Sequence, residues 1–143
     1  MKQINQSAVK KDAYALLSGK PLFTDDIAMK DCLIIKILRS PHAFAKILEI
    51  DTTAASRVPG VVAIYTYKDV PDSRFTLAGQ TFPEPSPYDR KILDQIVRYV
   101  GDEVALVVAD NEETAMRAMK LIKVKYEVYE PILDFRKAID HPS

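Results

Sequence analysis

The chain has 143 residues, 48% of them hydrophobic and 28% charged, and its 20 basic and 20 acidic side chains cancel. This length fits one domain with a sizeable core, and the composition favours neither a disordered nor a membrane-embedded class. Zero net charge disfavours nucleic acid or anionic membrane as a partner. The single cysteine, Cys32, excludes an internal disulfide, and we find no signal peptide or membrane-length apolar run. We therefore expect a cytoplasmic protein.

The N-terminal part of the chain predicts little regular structure. Residues 1–10 are polar and predict a flexible lead-in, whereas residues 11–143 predict a single domain. A short element at residues 13–17 is expected to end in a turn at Ser18-Gly19-Lys20-Pro21, because glycine and proline interrupt regular structure.

Two strands and a short helix are predicted next. The apolar runs at 32–38 and 43–50 are typical of strands buried on much of both faces, and Ser40-Pro41-His42 separates them. Asp51-Thr52-Thr53 then offers N-cap oxygens to a short helix at residues 54–57.

A third strand and a long irregular segment follow that helix. Pro59-Gly60 ends the helix before the extended pattern of residues 61–67. Residues 71–87 contain four of the nine prolines and predict a long surface loop. Loops of this length in compact domains are usually functional, packed or disordered. The aromatic residues in this loop argue against disorder and favour packing on this domain or on a partner.

Residues 97–130 carry the strongest structural signal, a strand–helix–strand unit. Residues 104–109 form an apolar run of strand length, and Asp110 with Glu113 fits a capping box. A helical stripe follows, formed by Ala115, Ala118, Met119 and Ile122. Residues 122–128 then alternate with period two, as in a strand with one wet face. The fold class is therefore predicted to be α+β, with a mixed sheet covered by a few helices.

No catalytic, cofactor-binding or metal-binding residue is predicted in this chain. The four glycines are too scattered for a dinucleotide or phosphate-binding loop. The histidines His42 and His141 lie far apart in the sequence, and Asp25-Asp26 fits a turn or cap role better than a paired acid. A thiol dyad of Cys32 and His42 lacks an implied third residue, so Cys32 is expected to be a buried strand residue and His42 to cap or pack in its turn.

Five ordered motifs resemble a known family. They are SGKPLFTDDI at 18–27, ILRSPHAFAKILEID at 37–51, AASRVPGVVAIYTYKDV at 54–70, RYVGDEVALVVAD at 98–110 and VKYEVYEP at 124–131. In this order they resemble the α/β hammerhead domain of the xanthine dehydrogenase and aldehyde oxidase family, over about residues 10–139.

The resemblance implies that this chain is part of an enzyme of this family. Enzymes of this family are molybdenum hydroxylases, which insert an oxygen from water into a C–H bond of a purine, an aldehyde or a related heterocycle. It implies that this chain is the N-terminal hammerhead scaffold, expected to be an inactive fragment that binds no cofactor. The parent enzyme would carry the molybdenum–pterin cofactor in the following domains, and iron–sulfur clusters and FAD in other domains or subunits. Those components would be the partners of this chain.

Other functions stay open at this stage. The chain could be a free-standing α/β binding or adaptor module that uses the 71–87 loop, or a small thiol enzyme that uses Cys32. The sequence leaves open the substrate, electron acceptor, pterin form and oligomeric state of the parent enzyme. It also leaves open whether the native chain continues past Ser143.

Overall fold

The strands are built mainly from Val, Ile, Leu and Ala, and β-branched side chains favour extended backbone. The computed structural model describes residue 4 and residues 7–27, 31–77, 83 and 85–139, without the side chain of Asp25. In these residues the strands are β1 (Ile34–Arg39), β2 (Ala45–Asp51), β3 (Val61–Thr66), β4 (Ile96–Val97), β5 (Glu103–Ala109) and β6 (Lys123–Val128).

The helices are short. In the same residues they are α1 (Ala13–Leu17), α2 (Thr53–Ser56) and α3 (Glu112–Met119), with 3₁₀ turns at Thr24–Ile27 and Phe135–Lys137. None of the helices in the described ranges has the length and apolarity needed to cross a bilayer.

The chain separates into two compact units, residues 1–32 and 33–143. In the first unit, the Ser18 hydroxyl donates to the Tyr14 carbonyl at 2.7 Å, which ends α1 where the turn was predicted. The Phe23 amide donates to Asp26 Oδ2 at 2.9 Å, so Asp26 has the turn role expected from the sequence. The flexible lead-in at 1–10 and the single domain at 11–143 stay predictions.

Among its described residues, the second unit contains two three-stranded antiparallel sheets. Sheet I has the order β1-β5-β3, and sheet II has the order β4-β2-β6. One side of β5 packs against α3 through Ala105, Val107 and Ala109, which are fully buried. At the β-bulge between Leu38 and Arg39, β5 contributes Val104 to a second cluster with Ala45, Ile47 and Val97 from sheet II.

Both clusters share their partly buried neighbours. Leu38 of β1, Ile50 of β2 and Val124 of β6 pack against both groups of buried residues. The two sheets of the second unit therefore enclose one continuous apolar interior.

The predicted α+β class, with a few helices and the strand–helix–strand unit at 97–130, is confirmed. Its sheet arrangement differs from the expectation of one mixed sheet. Strands β5 and β6 lie in different sheets, and every pairing of named strands among the described residues is antiparallel. The reason is that β1 and β3 occupy both edges of β5, so β6 pairs with β2 instead.

Three local predictions were wrong. Cys32 is exposed and lies before β1, whose first residue is Ile34. The strands β1 and β2 are not buried on both faces, because each sheet leaves one face uncovered over part of its length. The N-cap of α3 is Asn111 rather than Asp110, and Asn111 Oδ1 accepts from the Thr114 amide at 2.8 Å.

Candidate functional site

The most organised polar cluster lies where the loop before β5 meets the end of β1. The loop at residues 98–102 closes on Asp102, whose residue surface is only 7% exposed. Asp102 Oδ2 accepts from the Arg98 amide at 2.8 Å. The backbone of Ser40 then fixes the loop, because its amide donates to the Asp102 carbonyl and its carbonyl accepts from Gly101, both at 2.8 Å.

Gly101 is required by the shape of this loop. Its φ is +97°, in the left-handed region that L residues with a side chain rarely adopt. No atom outside its immediate neighbours lies within 4 Å of a Cβ at this position, so backbone conformation rather than space favours glycine.

Two arginines connect this loop to the surrounding elements. Arg39 Nη1 donates to the Gly101 carbonyl at 2.8 Å and to Glu103 Oε1 at 3.0 Å. Arg90 Nη2 donates to the Tyr99 hydroxyl at 3.0 Å and lies 3.6 Å from Asp102 Oδ1. The Arg90 guanidinium also lies 5.3 Å from the centre of the Tyr99 ring, within range of a cation–π contact.

The charges of the cluster balance, because its two arginines face two carboxylates. Tyr99 donates its hydroxyl to Glu103 Oε2 at 3.3 Å, which links the two arginine contacts. We call the side chains of Arg39, Arg90, Tyr99, Asp102 and Glu103 the arginine network. Its members bond to one another or to backbone, so the arrangement can hold loops together.

The pKa shifts agree with this description. Partial burial acts to raise the pKa of Glu103, but hydrogen bonds from its backbone amide, Arg39 and Tyr99 outweigh burial, and the pKa lies below its ordinary value. The pKa of Arg90 is raised, mainly by its hydrogen bond to Tyr99 and against the effect of burial. Both shifts favour the charged forms that the network needs.

The predicted turn at residues 40–42 adjoins the network. The buried Ser40 hydroxyl accepts from the His42 amide and donates to the His42 carbonyl, both at 3.0 Å. The His42 ring meets the Tyr126 ring edge-on, with 4.8 Å between their centres. Burial raises the pKa of Tyr126, although its hydrogen bond with Ser40 acts in the opposite direction. His42 thus packs in its turn, as expected.

A separate open cavity of about 330 Å³ lies at the base of the 71–87 loop, and its lining includes Asp72, Lys91 and Asp94. Lys91 pairs with Asp72 across this cavity. Arg98 Nη1 pairs with Asp94 Oδ2 at 2.8 Å. These charges have partners within the chain, so they do not define a ligand by themselves.

The structure assigns no chemistry to the sequence candidates. Among the described residues, no group of three or more His, Cys, Asp or Glu side chains is placed to hold a metal ion. Asp25 has no described side chain, and His141 lies outside the described residues. The absence of catalytic, cofactor-binding and metal-binding residues from this chain stays a prediction.

Sequence reasoning missed the arginine network. The available signals were Arg39 immediately before Ser-Pro-His and the charges of the Arg98–Glu103 motif. They do not reveal that Arg39 contacts Glu103, which lies 64 positions further along the chain.

The fold and the network define a small α+β domain in which the organised polar side chains brace loops. The chain matches the family described as "Aldehyde oxidase and xanthine dehydrogenase, a/b hammerhead domain" over residues 18–130. It therefore belongs to this family, and the resemblance read from the five motifs is confirmed.

Two curated relatives illustrate the membership. The "Probable hypoxanthine oxidase XdhD" of Escherichia coli (strain K12) is 45% identical over 130 residues, which cover 91% of this chain and 14% of that protein. The "Xanthine dehydrogenase molybdenum-binding subunit" of Escherichia coli O157:H7 is 37% identical over 123 residues, which cover 83% of this chain and 16% of that subunit.

A solved structure agrees with the fold. The quinoline 2-oxidoreductase from Pseudomonas putida 86 superimposes with a TM-score of 0.81 at 29% identity, over 96% of this chain and 18% of that chain. The present chain thus spans only about 14–18% of the length of these three proteins.

Proposed function

We propose that this chain is the hammerhead scaffold of the molybdenum-binding subunit of a molybdenum hydroxylase. The parent enzyme would insert water-derived oxygen into a C–H bond of a purine or an aldehyde. The observation that carries the proposal is the family match over residues 18–130, joined by 45% identity to a probable hypoxanthine oxidase. Hypoxanthine is therefore the first substrate to test.

The residues of this chain contribute shape in this proposal. The arginine network fixes the 98–102 loop against the end of β1, with Asp102 accepting from two backbone amides. Such a buried, satisfied polar cluster determines one loop conformation, because a partly satisfied alternative leaves charges without partners. The loop is thus held in one conformation, which is what a scaffold role requires.

We propose no molybdenum–pterin site among the described residues. Each of their buried side-chain nitrogens and oxygens already has a hydrogen-bond partner, so none of these atoms is left over for a cofactor. We assign the molybdenum–pterin cofactor to other domains of the parent enzyme, where it would supply the oxygen-transfer centre. We assign the iron–sulfur clusters and FAD to other domains or subunits.

The partners in this proposal are those remaining domains and the electron-transfer components, in the cytoplasm. Neither nucleic acid nor a membrane is a proposed partner. The relative from Escherichia coli O157:H7 is named a molybdenum-binding subunit, which supports this kind of partner.

The proposal is tested by purifying the native assembly from its host through an affinity tag on this chain. We expect about one molybdenum per copy of the chain and oxidation of hypoxanthine with an artificial electron acceptor. An aldehyde is assayed in parallel to separate the two substrate classes. Residues 1–143 expressed alone are the matched control and should carry no molybdenum. Stoichiometric molybdenum on this control, or none in the assembly, contradicts the proposal.

The adaptor alternative gains no specific support. It relied on the 71–87 loop, and the described part of this loop is anchored by paired backbone hydrogen bonds between Phe75 and Arg90, at 2.8 and 3.1 Å. The charged residues of the adjoining cavity are paired within the chain. The thiol-enzyme alternative likewise has no described partner for Cys32.

A further inference from the structure

Sheet I has one face that no described element of the second unit covers. Directly paired strand residues point to the same side of a sheet, and successive residues alternate. Because Ala105, Val107 and Ala109 of β5 face α3, Leu106 and Val108 face away from it. Their cross-strand partners complete what we call the outer face: Ile35, Ile37, Ala63, Tyr65, Leu106 and Val108.

The outer face is apolar and partly open to solvent, since Ile35 and Tyr65 are exposed and its other four residues are half-buried. Its six residues carry no charge, and none of them belongs to either buried cluster or to the side chains packed against the clusters. Ile35 is 57% exposed and Tyr65 is 44% exposed. A contiguous apolar surface of this kind marks an interaction site more often than a water-facing sheet.

Sheet II provides an internal comparison. Its water-facing side carries three cross-strand pairs of opposite charge, namely Lys46 with Glu127, Glu49 with Lys125, and Asp51 with Lys123. This is the usual pattern of an antiparallel sheet with one solvated face. The same chain therefore has one sheet suited to water and one suited to contact with another apolar surface.

We propose that the outer face of sheet I is an interface that docks onto another domain of the parent enzyme's molybdenum-binding subunit. The inference rests on the proposed function. The chain spans only 14% of its hypoxanthine oxidase relative, so most of such a protein lies outside this chain and can supply the cover. The occupant is expected to present apolar and aromatic side chains, because the outer face offers no charge to pair with.

The test uses hydroxyl-radical footprinting of the native assembly, read by peptide mass spectrometry. Tyr65 is the probe, and Tyr99 is the matched control because it is similarly exposed, at 41% against 44%. An uncovered Tyr65 would be oxidised only about twofold slower than in the urea-unfolded assembly, given its exposure. Docking should slow its oxidation by roughly tenfold or more, as expected for a desolvated interface core.

A Tyr65→Cys variant identifies what covers the face. Its thiol is joined to nearby lysines of the assembly with a short thiol-to-amine cross-linker, with Leu48→Cys of sheet II, 48% exposed in the wild type, as the control position. Cross-links from position 65 to a peptide outside residues 1–143 of the same subunit support the proposal. Cross-links to a second copy of this chain, or oxidation of wild-type Tyr65 within about threefold of the unfolded rate, overturn it.

The two proposals fail separately. An assembly that contains molybdenum but leaves Tyr65 reactive contradicts only the docking face. An assembly without molybdenum in which Tyr65 is protected by another domain contradicts only the enzyme assignment.

Discussion

Replacement of Asp102 tests whether the arginine network stabilises the domain. Its side chain is only 10% exposed. It accepts from the Arg98 amide at 2.8 Å and from the Glu103 amide at 3.2 Å. Asp102→Ala removes both acceptors and leaves Arg90, 3.6 Å away, without this carboxylate.

The expected loss follows from these contacts. A hydrogen bond to a charged group contributes about 1.5–3 kcal/mol. Because Arg98 is exposed, water can bind its amide in the variant and recover part of the bond lost to Asp102. We expect Asp102→Ala to lower the free energy of unfolding by about 3 kcal/mol. Asp102→Asn retains one acceptor oxygen and should lose about half as much.

The assay is urea unfolding of the chain, followed by far-UV circular dichroism and by the fluorescence of its seven tyrosines, because the chain has no tryptophan. With a slope of about 1.5 kcal/mol/M, the midpoint for Asp102→Ala should fall by about 2 M urea.

Asp72→Ala is the control for this assay. It removes a carboxylate that is also ion-paired, but Asp72 has an 83% exposed side chain, so its midpoint should shift far less. The reasoning is refuted if Asp102→Ala loses less than about 1 kcal/mol or matches the Asp72→Ala control.

Three further predictions concern neighbouring elements. Hydrogen bonds depress the pKa of Glu103, so the wild type should be more stable than Glu103→Gln by an amount that depends on pH. This difference in the free energy of unfolding should be fully present above about pH 4.5 and should fall as the pH drops through the pKa of Glu103 in the folded state. A difference that does not change down to about pH 3 contradicts this. Val107→Ala in the buried cluster should lower the free energy of unfolding in urea by about 2.5 kcal/mol. Val62→Ala is the control and should lose little, because Val62 is 55% exposed in the wild type. Equal losses would refute the packing argument. Asn111→Ala should lower the free energy of unfolding by about 1 kcal/mol, because it removes the N-cap of α3. Asn111→Ser should retain most of this stability, because serine can also cap a helix. Equal melting temperatures for the two variants argue against the cap.

The succession of elements could be predicted because it depends on local periodicity. The run at 104–109, the helical stripe that follows and the alternation at 122–128 correspond closely to β5, α3 and β6. The pairing of the strands could not be predicted in this way, because it depends on which edges of β5 remain free. Segments distant in the sequence occupy those edges, so the sequence pattern suggested one mixed sheet where the chain forms two antiparallel ones.

The site was less accessible to prediction than the fold. Arg39 ends a strand, and an arginine at such a place is usually a solvated charge. Its partner, Glu103, begins β5, and only the antiparallel pairing of β1 with β5 brings the two together. The cap of α3 shows the same limit on a smaller scale, since Asp110 and Asn111 are both good capping residues and local geometry selects Asn111.

The pairing of β2 with β6 constrains the order of events during synthesis. Ala45 pairs with Val128, and Asp51 pairs with Lys123, so sheet II joins an early segment of the chain to a late one. β2 leaves the exit tunnel before residues 123–128 have been synthesised, so it emerges without its main partner. Unpaired strand edges of this kind attract other chains. The nascent domain is therefore most exposed to aggregation, and to chaperone binding, between the emergence of β2 and that of β6.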